Sequence, residues 1–226
     1  MIPFAALPPA GLASDRPVEL LLVLGLMALV PVALVTLTSF LKIAVVLSVA
    51  RSALGAPQVP PTTAITGLAL LLTLAVMAPA AEDAWRAAAV GPPPRGADEV
   101  IAAGARAAGP LKAFLARFAR PEDRRLFLEL ARRLRPPEGR DGVGDADLAV
   151  LAPAFVISEL RRAFAAGFLV FLPFLAVDLA VANVLLALGL TQLSPTAVSL
   201  PFKLLLFVAV DGWALLARGL VAGYLP

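Results

Sequence analysis

Apolar residues in this chain run in long blocks rather than short alternations, so the elements they predict are helices of membrane length. The first block, Val18 to Leu41, has 24 residues broken only by Glu19 and predicts one helix kinked at Pro31. A shorter helix is expected from Ile43 to Ala50, stopped near Gly55 and followed by a link that Pro57, Pro60 and Pro61 keep extended or turned. Ala64 to Ala81 has 18 residues without a charge, at the lower limit for a span, and Pro79 is expected to weaken its end. A long apolar stretch follows from Ala163 to Leu190, interrupted by Pro173, Asp178 and Asn183. A turn, Gly189 to Pro195, then leads to a last helix, Leu200 to Leu220, carrying Lys203, Asp211 and Arg218.

Between the second and third spans the pattern changes. Gly91-Pro-Pro-Pro94 reads as a linker, and Leu111, Phe114, Leu115 and Phe118 follow the spacing of an amphipathic helix. Arg120-Pro121-Glu122-Asp123 stops that helix and starts another, with proline in the first turn and acids at the positive helix end. Leu126, Phe127, Leu130 and Leu134 form the expected apolar face of the second helix, which Pro136-Pro137 ends. Such an insertion is too small for a large core of its own, so it packs on copies of itself or on the hydrophobic helices. The expected fold is all-α and membrane-type. It has an extension (1–17), a first hydrophobic hairpin (18–81), a charged helical insertion (82–147) and a second hydrophobic hairpin (148–226).

Composition sharpens this picture. Of 226 residues, 60% are hydrophobic and 15% charged, against roughly 25% charged in soluble domains. The insertion holds 23 of the 35 charges, 12 basic and 11 acidic, so the net charge of +3 is not a one-signed stripe for nucleic acid. Cysteine and histidine are absent, removing thiol chemistry and the commonest general base and metal ligand. No P-loop, dinucleotide fingerprint or metal cluster is visible. Asp145-Ala-Asp147 reads as a helix N-cap rather than a calcium loop, and Arg161-Arg162 as a solvated helix edge. Ser39, Ser48 and Ser52 lie near Lys42, but a Ser/Lys hydrolase needs a geometry and an oxyanion hole that this pattern does not supply. No cofactor is expected, and the chain does not read as an enzyme.

Polar groups inside apolar helices are the informative ones. Asp178, Lys203 and Asp211 each cost about 2.5–3.5 kcal/mol at the centre of a membrane helix, so each needs a partner. Lys203 and Asp211, eight residues apart on one expected helix, lie roughly 12 Å apart along its axis and cannot pair with each other. They and Asn183 form either ion pairs and hydrogen bonds to other segments or subunits, or a relay in a proton-coupled transporter using Asp178 and Asp211. A third reading has Lys203 snorkelling and Asp211 at an interface. Topology from charge is balanced: the short connections hold Lys42, Arg51 and Lys203 and the termini Arg16 and Arg218, while Arg86, Arg161 and Arg162 pull the other way.

Two blocks carry a family resemblance. The first runs Thr38-Ser39-Phe40-Leu-Lys42 to Ser48, then Arg51-Ser-Ala-Leu-Gly55, Gln58-Val-Pro60-Pro61, Gly67-Leu-Ala-Leu70 and Val76-Met-Ala-Pro79. The second runs Leu151-Ala-Pro153-Ala-Phe155-Val-Ile-Ser-Glu159-Leu160, Phe171-Leu-Pro-Phe174, Val177-Asp-Leu179, Leu193-Ser-Pro195, Pro201-Phe202-Lys203 to Phe207, and Asp211-Gly212-Trp213. Together, over roughly half the chain, they resemble the FliP/SctR family of type III secretion export-apparatus proteins. The resemblance implies a structural and gating subunit of an export channel for unfolded proteins. It implies assembly of several copies, a pentamer in the family, with SctS/FliQ-like and SctT/FliR-like subunits. SctU/FlhB-like and SctV/FlhA-like components and membrane lipid are further implied partners. The implied place is the bacterial inner membrane, with the assembled complex projecting to the periplasmic side. Phe40-Leu-Lys42 and the lack of a cleavable signal are closer to the injectisome than to the flagellar branch. The family's methionine-rich turn, which seals the pore, corresponds to Leu188-Gly189-Leu190-Thr191-Gln192-Leu193, where leucines replace methionine.

Overall fold

A computed structural model describes residues 17–56, 58–90 and 97–225. The expected extension at 1–17 and linker at 91–94 therefore fall almost wholly outside the described residues. Among the described residues all regular structure is helical: α1 (Pro17–Leu37), α2 (Phe40–Ala53), α3 (Thr62–Ala88), α4 (Ala97–Phe118), α5 (Pro121–Arg133), a 3-10 turn (Pro137–Gly139), α6 (Leu148–Ala187), α7 (Pro195–Ala209) and α8 (Gly212–Ala222). Two helices, α3 and α6, are long and apolar enough to cross a membrane, and four spans result if each bent pair, α1–α2 and α7–α8, counts as one.

Several boundaries differ from the sequence reading. The first apolar run does not continue to Leu41. It breaks at Thr38-Ser39, where α1 and α2 meet at 63°, while Pro31 lies inside an unbroken helix. Thr38 Oγ1 turns back onto Leu34 O and also accepts from Phe40 N–H, a local competitor for the helical ladder. Pro79 does not end α3, which continues for nine residues beyond it. The last expected helix, 200–220, is two helices starting at Pro195 and bent by 60° at Asp211, which has φ 50° in the left-handed region. Aspartate tolerates that conformation better than most residues, so Asp211 is there for the backbone of the bend.

The 40-residue α6, roughly 60 Å long, is the axis on which the rest packs. Its most extensive partner is α2, so the tightest packing joins the two expected hairpins instead of lying within either. One core holds Ile43, Leu47 and Ala50 of α2, Ile65 and Ala69 of α3, Ala163 and Phe174 of α6, and Phe207, Leu216 and Leu220 of the last pair. A second core places Leu115 and Ala119 against Leu151, Ala154 and Phe155 of α6, with Leu111, Phe114 and Phe118 packed around it. The insertion thus packs on the hydrophobic helices, one of its two expected solutions. Of the apolar face expected for α5 only Phe127 packs inward, against the second core; Leu126 and Leu130 are exposed, as is Leu134 beyond the helix, and Asp123 is buried beside it.

The Asp211-Gly212-Trp213 motif has a steric cause. A Cβ on Gly212 would lie 2.2 Å from the Phe207 ring, which itself meets Trp213 edge-on at 5.1 Å. Gly212→Ala is expected to overpack this contact and cost about 1–3 kcal/mol. Gly219→Ala, in open space on the same helix, should be neutral or slightly stabilising. Thermal unfolding of the two variants in detergent checks the contrast.

Candidate functional site

Two buried polar centres and one exposed turn hold the residues that the sequence singled out. The first centre is built on Glu159, wholly buried in the apolar α6. Ser158 and Arg162 flank it, and all three groups point to partners on other elements. Arg162 Nη1 donates to Glu159 at 2.6 Å and to Phe118 O at 2.6 Å. Lys42 Nζ lies 3.8 Å from Glu159, and Tyr224 O–H donates to the same carboxylate. The Lys42 ammonium also stands 3.9 Å over the Tyr224 ring, a cation–π contact in a desolvated setting. Phe118 meets the Tyr224 ring at 4.9 Å and Phe114 at 6.1 Å. Burial and the adjacent carboxylate push the Tyr224 hydroxyl well above its ordinary pKa, so it stays protonated and acts as a donor. One turn away, Asp123 accepts from Ser158 at 2.7 Å and from Arg161 at 3.3 Å, and Ser158 Oγ accepts from Arg120 N–H at 2.8 Å. Arg161 and Arg162 keep the solvated edge expected for them, with side chains 59% and 37% exposed, and from it both also reach the insertion.

The second centre pairs Lys203 of α7 with Asp178 of α6 at 2.6 Å; the lysine is 3% exposed. Ser199 Oγ donates to the same carboxylate. Lys203 Nζ also donates to Ala53 O at the end of α2, 3.2 Å away. Gly55 follows just after, and its φ of +80°, which favours glycine, turns the chain out of α2. The two residues thus pair within one chain, and an intersubunit pairing for them is not needed. Asp211 and Asn183 are exposed in the single chain, so the pairing expected for them is not made with another segment of it. Among the described residues Asp211 has no ion pair, and no hydrogen bond joins it directly to Asp178.

The motif residues fall into place around these centres. Arg51 reaches Pro60 O at 3.4 Å and Thr62 Oγ1 at 3.0 Å, binding the end of α2 to the start of α3. Pro61 is the N-cap of α3, and Pro195 occupies the first turn of α7. Pro153 and Pro201 lie inside α6 and α7, Phe155 fills the second core, and Phe202 is exposed. Ser39 is buried with its hydroxyl unpartnered, and none of Ser39, Ser48 or Ser52 hydrogen-bonds Lys42. Asp147 is the N-cap of α6, but its carboxylate accepts from Gly144 N–H, while Asp145 accepts from Arg124. No carboxylate cluster among the described residues is arranged to hold a metal ion.

The turn joining α6 to α7 is the third feature. Gly189 takes φ +73°, and every residue from Leu188 to Leu193 is exposed, with Leu188 at 66%, Leu190 at 44% and Leu193 at 48%. The turn thus presents three exposed leucines at a hairpin tip.

The profile of the FliP family matches residues 23–220. "Yop proteins translocation protein R" of Yersinia pestis is 42% identical over 215 residues, covering 92% of this chain and 96% of its own length. "Hypersensitivity response secretion protein HrcR" of Ralstonia nicotianae is 42% identical over 200 residues, covering 87% and 92%. "Flagellar biosynthetic protein FliP" of Caulobacter vibrioides is 41% identical over 215 residues, covering 95% and 79%. Translocation and flagellar proteins are equally similar, so identity does not assign the chain to either branch.

Glu159→Ala leaves Lys42 buried without its carboxylate and is expected to cost about 3–5 kcal/mol. Tyr224→Phe removes one hydrogen bond to a charged group and should cost about 1.5–3 kcal/mol. The Lys42→Ala/Glu159→Ala pair is expected to cost less than the sum of its single variants. Unfolding monitored by limited proteolysis in detergent distinguishes these values.

Proposed function

The chain belongs to the FliP family, and from that membership we propose that it is a non-enzymatic structural and gating subunit of a type III secretion export channel. The observation that carries the gating role is the exposed leucine turn at 188–193. It caps a helix that is locked to α7 by the Asp178–Lys203 pair, ten residues and roughly 15 Å from Leu188. A rigid stem and an apolar tip suit a constriction assembled from several copies, where leucines meet and exclude water. Gln192 at the same tip is free to hydrogen-bond a neighbouring copy.

The wider assembly follows from the same reading. Leu24, Met27 and Val30 of α1, Phe164 and Phe168 of α6 and Phe202 and Leu205 of α7 are all exposed in the single chain. Surface of that kind is suited to burial against sister subunits or lipid. The proposed partners are copies of itself, SctS/FliQ-like and SctT/FliR-like subunits, and SctU/FlhB-like and SctV/FlhA-like components; unfolded secreted proteins are the proposed cargo. The proposed location is the bacterial inner membrane, with the insertion on the periplasmic side. Energy for transport is supplied elsewhere in this reading: Glu159 and Asp178 of α6 are held in ion pairs, and Asp211 lies at the bend between α7 and α8.

Replacing Leu188, Leu190 and Leu193 together by Ser is expected to raise ion leak through the assembled channel while leaving assembly intact. Unchanged leak and unchanged secretion would reject the gate. Gentle detergent extraction followed by native mass measurement tests the assembly itself: a lone monomer that never recruits the small partner subunits would reject the export role.

A further inference from the structure

The insertion carries a concave basic surface that the two buried centres do not use. Asp123 and Phe127, one turn apart, set the inner face of α5 against α6 and the second core. At roughly 100° per residue, Arg125, Glu129 and Arg132 then fall on the opposite, outer face. After Pro136 the chain turns back along the helix, with Val143 buried and Arg132 Nη2 donating to Val143 O at 3.3 Å. The return brings in Arg140, whose Nε donates to Arg135 O at 3.2 Å. Arg125, Leu128, Glu129, Arg132, Arg133 and Arg140 thereby line a pocket of about 300 Å³.

Its charge is one-sided. Four guanidiniums line it against a single carboxylate, Glu129, which Arg133 already holds at 2.5 Å. Neighbouring acids are committed elsewhere: Glu122 to Arg120, Asp123 to Arg161 and Asp145 to Arg124. Glu138 and Asp141, on the return segment, form no ion pair with these arginines among the described residues. The negative end of α5 accounts for Arg132 and Arg133, which lie in its last turn. It does not account for Arg125, two turns earlier, or for Arg140, which another segment brings in. Like charges gathered around one concavity focus a positive potential and attract an anion.

The surroundings select the kind of anion. Leu126 and Leu130 of the same helix are 49% and 41% exposed, so apolar contact is offered beside the charges. A free phosphate would use the arginines and leave the leucines bare. Arg125 and Arg132 are seven residues apart, roughly 10 Å along the axis, which is the repeat of two turns in any helix lying alongside. Carboxylates at that spacing with an apolar stripe next to them are the pattern of an acidic amphipathic helix.

We propose that this face of α5 docks an acidic amphipathic helix of a partner protein, its carboxylates on Arg125, Arg132 and Arg140 and its aliphatic side chains on Leu126 and Leu130. The docking site is independent of the gate, since α5 lies in the insertion and the leucine turn at the far end of α6.

Fluorescence anisotropy of the full chain in detergent, with empty micelles as the blank, tests this. The probe is a labelled peptide of Glu, Leu and Ala whose glutamates recur every seven residues beside a leucine stripe, and its reference has Gln for every Glu. The acidic peptide is expected to bind about tenfold more tightly than the reference at low salt, with the advantage shrinking as salt is raised. Arg125→Gln, whose side chain has no ion pair among the described residues, should weaken the acidic peptide about threefold with thermal stability unchanged, and Arg125→Gln/Arg132→Gln about tenfold. Leu126→Ser should weaken both peptides. Arg117→Gln removes the same charge from an exposed position on α4, away from the pocket, and should change neither. Equal binding of the two peptides, or an equal loss in Arg117→Gln and Arg125→Gln, would overturn the proposal. So would tighter binding of pyrophosphate or of phosphatidylglycerol vesicles than of the acidic peptide, which would give the pocket to a free anion or to a membrane surface. Ion leak and subunit recruitment are separate readouts, so failure of this site leaves the export role standing.

Discussion

A carboxylate taken wholly out of water in the middle of an apolar helix has to be paired, and Glu159 is such a group. Its oxygens gather Arg162 from its own helix, Lys42 from α2 and Tyr224 from the segment after α8. Arg162 extends the network to the end of α4 through Phe118 O, and the adjacent Ser158 extends it to Asp123 and the start of α5. One buried charge thereby specifies the relative positions of four elements that apolar contact alone would allow to slide. Apolar packing is non-directional, whereas these contacts are short and angular. The Lys203–Asp178 pair does the same for α7 at the other end of α6, with Ala53 O tying in α2.

This division of labour leaves the outer surface free to be apolar. In an isolated soluble chain, so many exposed leucines and phenylalanines would be an aggregation hazard. In the reading proposed above, with the interior register held by ion pairs, the same side chains serve as docking surface for lipid or neighbouring chains.

Much of the site was legible in outline. Asp178 and Lys203 stood out as charges in apolar blocks that required partners, and they meet each other. Glu159, in contrast, registered only as part of a family motif. Its signal was available: a carboxylate with Ser158 before it and Arg162 after it, inside a run that becomes a single 40-residue helix. Tyr224 and Asp123 carried no such signal, because nothing local distinguishes a tyrosine beyond the last helix or an aspartate in a helix's first turn. Asp211 carried the opposite kind of signal: its charge drew attention, but nothing local announced that it takes φ 50° at the bend between α7 and α8. The face of α5 was legible only in part: Phe127 packs on the second core, while Leu126 and Leu130 are exposed and Asp123 is buried.

Helix type, the order of the apolar blocks, the polar insertion, the turn before Pro195 and the family itself follow from the sequence alone. Periodicity, capping residues and runs of burial-seeking side chains are local properties that any stretch of chain carries with it. Which carboxylate answers which ammonium, where a helix of continuous apolar composition breaks, and which face of an amphipathic helix turns inward were decided only in three dimensions. Those outcomes depend on groups as far apart as Lys42 and Tyr224, and their energies exist only once packing has removed the water between them.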